Sequence, residues 1–256
     1  MHSFPPVSLR RAPVAVKPGS IPENLDRVRR RITDAAHHAG RDPGEVTLIA
    51  VSKTRPAGDV VAALAAGQTH FGENYVQEAV EKIAEVKRLA PHATPVWHYI
   101  GAVQTNKTRD LAAHFHWVHT ISRQKVARRL NGQRRIGQPL NVCLQINVDG
   151  DPNKAGIPPE DAAGLLADCA GYERLALRGL MTILDPRTDP ADGYQRLREC
   201  FEDLAQKAPP GWDTLSMGMS ADYPAAIAAG ATLVRVGSAI FGPRATKTNS
   251  QTRSSS

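Results

Sequence analysis

The chain has 256 residues, 41% hydrophobic and 22% charged, enough to bury a large core as one α/β barrel or two smaller domains. A formal charge of +7 favours anionic ligands, but the basic residues are spread out and aromatics make up only 5%, so a base-stacking surface is poorly supplied and nucleic-acid binding is not expected. Cys143, Cys169 and Cys200 lie far apart without paired spacing, which argues against a disulfide framework or a cysteine metal site, and no apolar run approaches membrane-spanning length.

Residues 1–20 hold Arg10, Arg11, Lys17 and four prolines, with no apolar core for a signal peptide. They read as a disordered basic extension, and 245–256, rich in Ser and Thr, reads as a disordered tail. Reduced thiols and the lack of a membrane segment point to the cytoplasm.

Between the tails, 21–244 reads as one domain. A helix is expected over 21–39, with Pro22 in its first turn and Leu25, Val28, Ile32 and Ala36 on one face. The run Leu48-Ile49-Ala50-Val51 then predicts a strand over 46–52, apolar at consecutive positions and so buried on both faces. Lys53 follows at its end, and Pro56 stops it. From here the pattern alternates. Strands are expected over 70–72, 96–100, 117–121, 140–148, 175–183, 214–216 and 233–236. Helices are expected over 60–66, 76–89, 108–114, 123–130, 158–170, 191–208 and 223–229. Eight strands alternating with helices, after one extra N-terminal helix, suit a single-domain (β/α)8 TIM barrel; a doubly wound open sheet has the same rhythm.

In a barrel the carboxyl ends of the strands share one mouth. Reading those ends in order gives Lys53, Asn74, His98 and Gly101, Thr120, Asn147 and Met181, then Ser216-Met217-Gly218-Met219-Ser220 and Arg235-Val236-Gly237-Ser238. The last two offer hydroxyls, glycines that admit backbone N–H groups to a ligand, and the starts of helices, a combination that suits a phosphate. A lysine between apolar walls and near Arg235 can lose its proton and attack an aldehyde. An aldehyde with a phosphate handle describes pyridoxal 5′-phosphate (PLP), and a sugar phosphate in a Schiff-base aldolase satisfies the same parts. His114, His116 and His119 lie close in sequence, but strand alternation sends His119 away from the other two, against a metal site. Lys154, after the fifth strand, is also within range of the mouth.

Five segments carry a resemblance. They are Ala50-Val51-Ser52-Lys53-Thr54; Phe71-Gly72-Glu73-Asn74-Tyr75-Val76-Gln77-Glu78; Trp97-His98-Tyr99-Ile100-Gly101 with Gln104-Thr105-Asn106-Lys107; Leu215-Ser216-Met217-Gly218-Met219-Ser220 with Asp222; and Val234-Arg235-Val236-Gly237-Ser238-Ala239-Ile240-Phe241-Gly242. Together and in this order they resemble the pyridoxal phosphate homeostasis protein family, whose barrel is similar to the N-terminal domain of alanine racemase, the PLP fold type III. The resemblance implies PLP held as an internal aldimine on Lys53, its phosphate at Ser216, Gly218, Met219, Ser220, Gly237 and Ser238, and Arg235 facing the pyridine nitrogen. Asn74 and His98 join the set as contacts at the mouth. It further implies a monomer that keeps PLP in balance and delivers it to PLP-dependent apoenzymes, with no catalytic residue and no robust activity; the alternative is a weak PLP-dependent amino-acid racemase. Tyr99 stands where the family pattern has phenylalanine, and Ser238 where threonine is common.

Overall fold

The computed structural model describes residues 19–135 and 137–243. Eight strands form a closed parallel barrel in sequence order: β1 (Thr47–Val51), β2 (His70–Glu73), β3 (Val96–Tyr99), β4 (Trp117–Ile121), β5 (Leu140–Gln145), β6 (Leu175–Met181), β7 (Thr214–Met219) and β8 (Leu233–Val236). The ring closes where β1 pairs with β8, from Thr47 opposite Leu233 to Ala50 opposite Val236. The (β/α)8 expectation holds, and the open sheet is excluded by this pairing.

Among the described residues nine helices surround the strands: α1 (Ile21–His38), α2 (Ala57–Ala65), α3 (Val76–Leu89), α4 (Thr108–His114), α5 (Gln124–Gln133), α6 (Ala162–Cys169), α7 (Pro190–Ala205), α8 (Tyr223–Ala228) and α9 (Ser238–Phe241). α1 starts at a capping box: Glu23 N–H donates to Ser20 Oγ, and Ser20 N–H donates to Glu23 Oε2 at 2.9 Å. Gly19 and Ser20 therefore belong to the barrel, whereas 1–18 and 244–256, which carry most of the two expected disordered tails, lie outside the described residues. The apolar face of α1 packs across the barrel seam against α8, α9 and α2, and Asn24 Nδ2 donates to Ile240 O at 2.9 Å.

Most boundaries fall within a few residues of expectation, and three differences matter. β7 runs on to Met219, through a register shift between Ser216 and Met219, so Ser216 is a mid-strand residue rather than the first residue of a loop. β5 stops at Gln145, after which Ile146 makes an isolated bridge to Ile157. The helix expected over 158–170 is a 3-10 turn, Pro159–Asp161, followed by α6.

The main apolar core lies between strands and helices, with a smaller cluster of Ile49, Trp117, Cys143, Met181 and Leu233 beside it. The barrel interior also holds a polar column. His119 on β4 bonds Ser216 on β7, two strands that are not neighbours, so the bond crosses the interior.

Candidate functional site

At the carboxyl ends of the strands lies a cavity of about 390 Å³, a size that suits a small-molecule ligand. Seven of the ten expected residues line it: Lys53, Asn74, Met219, Ser220, Arg235, Gly237 and Ser238. Val51, Arg55, Ile100, Ile183, Ala221 and Gly242 complete the wall. A groove of about 840 Å³ is larger, but it lies outside the barrel between α3 and α4 and is walled mainly by aliphatic residues such as Val80, Ile83 and Ala84.

Local sequence places each group. Lys53 comes off the end of β1 in a turn closed by Arg55 N–H to Ser52 O at 3.0 Å. Arg55 then reaches across the seam and donates to the carbonyls of Gly242 and Pro243 at 2.6 and 2.8 Å, fixing the end of α9 beside the cavity. Asn74 follows β2, and its Oδ1 is buried without a hydrogen-bond partner. The turn after β7 is tied by Met219 N–H to Asp222 Oδ1 at 2.6 Å. Behind it the Tyr194 hydroxyl meets the Asp222 side chain and the Gly218 backbone, and burial first, then Asp222, holds that phenol well above its usual range. Arg235 is only 3% exposed. Its Nη1 donates to Ser216 Oγ and its Nη2 to Thr182 O, both at 2.8 Å. Burial lowers its pKa from the ordinary value, and an arginine remains a cation at neutral pH regardless.

Three expected residues do not reach the cavity, each for a structural reason. Ser216 Oγ sits inside the barrel between Arg235 and His119. Gly218, at φ 89°, packs against α8, where a Cβ would stand 2.6 Å from the Ala226 side chain. His98 is fully buried and occupied on both nitrogens, by His70 Nδ1 and His119 Nε2, each at 2.9 Å.

These bonds make one chain: Arg235, Ser216, His119, His98, His70. Hydrogen-bond logic assigns its protons. Ser216 Oγ accepts from Arg235 and gives its own proton to His119 Nδ1, so His119 donates from Nε2 to His98 Nδ1, and His98 donates from Nε2 to His70 Nδ1. All three imidazoles are neutral. Burial first, then Arg235, lowers the His119 pKa to about 3. Burial first, then the neighbouring histidines, holds His98 well below the ordinary value. His114 and His116 are exposed and do not join His119. Lys154 pairs with Asp149 at 3.0 Å and touches the rim through the Ile183 carbonyl at 3.4 Å.

Gly101 sets the approach of β3 to Asn74. A Cβ there would lie 2.2 Å from Asn74 O and 2.9 Å from Asn74 C and Cα, all backbone atoms that cannot rotate away. Gly101→Ala is expected to cost about 2 kcal/mol of stability and to displace Asn74. Urea denaturation and ligand titration measure the two effects separately.

Comparison with known proteins agrees with this fold. The family model "Alanine racemase, N-terminal domain" matches residues 24–245. A pyridoxal phosphate homeostasis protein of Pseudomonas aeruginosa is 51% identical over 229 residues, covering 88% of this chain and 96% of that one. One from Escherichia coli is 47% identical over 228 residues, covering 88% and 97%. The chain belongs to the pyridoxal phosphate homeostasis protein family. PipY of Synechococcus elongatus, solved with PLP bound, superposes with a TM-score of 0.76 at 37% identity, over 87% of this chain and 100% of that one. An alanine racemase from Corynebacterium glutamicum shares the fold, with a TM-score of 0.59 at 17% identity, and the match spans 61% of its length.

Several residues that shape this cavity and its support were not picked out from sequence. Arg55 acts through the carbonyls of Gly242 and Pro243, Thr182 through its own carbonyl to Arg235, Tyr194 through Asp222 and Gly218, and His119 through Ser216 and His98, and nothing in their local sequence shows those partners. Glu73 and Glu78 lie in a quoted motif, but the residue they share, Lys82, is one helical turn further on.

Proposed function

We propose that the protein holds PLP reversibly on Lys53 and hands it on, and that it is a carrier in PLP homeostasis rather than an efficient catalyst. The observation that supports this most is a single cavity that combines the Lys53 side chain, a buried guanidinium at Arg235 and the Ser220 and Gly237-Ser238 turns. The fit is specific at a second point. The orphaned Asn74 Oδ1 needs a donor, and PLP carries a ring hydroxyl.

When bound, PLP supplies an aldehyde that condenses with an amine: a C=N bond forms and the carbonyl oxygen leaves as water. The chain's own residues then do the rest. Lys53 provides the amine. Ser220, Gly237 and Ser238 would take the phosphate, with Met219 as a backbone spacer. Arg235 would meet the ring nitrogen as a cation, opposing its protonation and leaving the ring a weak electron sink. Storage suits such a site better than carbanion chemistry. Delivery from a monomer to PLP-dependent apoenzymes in the cytoplasm belongs to the same proposal. Among the described residues no helix is long and apolar enough to cross a membrane.

The test is a visible absorption spectrum of the purified chain with PLP, before and after borohydride. The expected result is a visible band lost on reduction, with one equivalent of PLP left covalently attached. No attachment overturns the reading. So does amino-acid racemisation, or aldol cleavage without PLP, at roughly 1–1,000 per second, the ordinary range for enzymes.

A further inference from the structure

Lys82 on α3 is a buried lysine, with its side chain 5% exposed. All three of its ammonium protons have an acceptor: Ser52 O at 2.7 Å, Glu73 Oε1 at 2.7 Å and Glu78 Oε1 at 2.9 Å. Glu73 is fully buried as well. Burial raises its pKa, against the opposing pull of Lys82 and the Ser52 hydroxyl, and its Oε2 has no partner. An ion pair this deep is weak evidence of stability, because desolvation offsets its Coulomb energy. Its position suggests another use.

The acceptors of Lys82 take hold of the backbone on either side of Lys53. Ser52 O, which Lys82 binds, belongs to the peptide that joins Ser52 to Lys53. Ser52 Oγ donates to Glu73 Oε1 at 2.7 Å, and Ser52 N–H is tied to Gly72 O at 3.0 Å. On the other side, Thr54 N–H donates to Glu78 Oε1 at 2.6 Å, the same oxygen that Lys82 binds. Thr54 has φ 62°, and it is the one non-glycine residue with positive φ among those described. A β-branched residue avoids this conformation, and such strain persists only where the surroundings impose it. Here the imposed geometry lies one residue from Lys53, which lines the cavity.

We infer that Lys82 is a positioning residue for Lys53: through Ser52, Glu73 and Glu78 it clamps the turn on both sides and aims the Lys53 amine into the mouth. This rests on the reading of Lys53 as the PLP attachment point. Lys82 need not touch the ligand. Its chemistry is to replace turn flexibility with one conformation, so that the amine meets an aldehyde already held by its phosphate.

The test uses the full chain stripped of ligand, in three forms: wild type, Lys82→Met, and the paired variant Glu73→Met with Lys82→Met. The pair removes both buried charges, so it keeps the fold even if the single variant, with Glu73 left unpaired, does not. Two rates are measured. One is borohydride-trapped incorporation of PLP at Lys53, located by peptide mass spectrometry. The other is reductive methylation by formaldehyde at Lys53 relative to the exposed Lys125 and Lys207, a ratio that a general loss of stability does not move selectively. PLP incorporation is expected to fall about tenfold or more in the paired variant with its circular dichroism unchanged, and the Lys53 methylation ratio to depart from that of wild type. Wild-type rates and ratio in the folded paired variant overturn the role of Lys82 while leaving Lys53 as the attachment point. A wild-type adduct on another lysine, or none, overturns the PLP reading itself, and the positioning role with it.

Discussion

Lys53→Ala is expected to abolish the borohydride-stable PLP adduct and to weaken PLP binding on the order of a hundredfold, about 2.8 kcal/mol. The phosphate turns and Arg235 stay in place in this variant, so residual non-covalent binding remains, and isothermal titration should detect it. Folding should be almost unaffected. Lys53 is half-buried at a strand end, and its neighbours Ser52 and Thr54 keep their own backbone anchors. A stability change within about 0.5 kcal/mol is the expectation for such a site. The contrast between lost attachment and kept stability is the diagnostic result. A Lys53→Ala protein that still yields the same covalent adduct overturns the assignment, because among the described residues no other lysine lines the cavity.

The second large effect is acid sensitivity from the histidine column. His119 has a pKa lowered to about 3 in the fold, against about 6.5 in an unfolded chain. Between these values the unfolded state binds a proton that the folded state refuses. The stabilisation is therefore complete above pH 6.5 and is lost as pH falls towards 3. At about pH 5 the loss from His119 alone is about 2 kcal/mol, and by about pH 3.5 it approaches 4 kcal/mol. His98, shifted in the same direction by its own burial, adds to it, as does His70.

His116, lowered by burial and then by Arg134, acts in the same direction, whereas the carboxylates fall outside this window or oppose the trend. Asp149 and Asp185 have lowered pKa values, through the side chains and backbone groups that hydrogen-bond them against the cost of burial. Their contribution is present above the ordinary carboxylate range and is lost only below it. Glu73 is raised by burial, so acidification favours its folded form and partly offsets the histidines. Urea denaturation from pH 7.5 to pH 5 isolates the effect. The wild type should lose stability steadily over that range. His119→Asn, less stable at pH 7.5 because it interrupts the column, should show a flatter acid limb. Equal slopes in the two proteins would place the acid sensitivity elsewhere.

The sequence alone determined the alternation of strands and helices and singled out Lys53 as the candidate attachment residue. Apolar runs such as Leu48-Ile49-Ala50-Val51 mark strands buried on both faces, their alternation with helices fits a parallel barrel, and a lysine at such a strand end must stand at the mouth. These inferences work because strand period and chain order are local properties. The choice of closed barrel over open sheet was not local: it needed Thr47 to find Leu233 across nearly the whole chain. The same limit governed the site. Ser216, Gly218 and His98 were expected at the cavity because each lies at or near a strand end, but which way a side chain points depends on where a strand stops and how its register shifts. In the folded chain Ser216 and His98 turn inward and support Arg235, and Gly218 gives α8 room to pack. No local sequence pattern marks Lys82, since only tertiary packing brings an α3 ammonium to the Ser52 carbonyl and into a saturated contact with two carboxylates. Residue type and chain position named the amine, while its aim and the neutrality of the column beneath Arg235 come from burial and from bonds between distant strands.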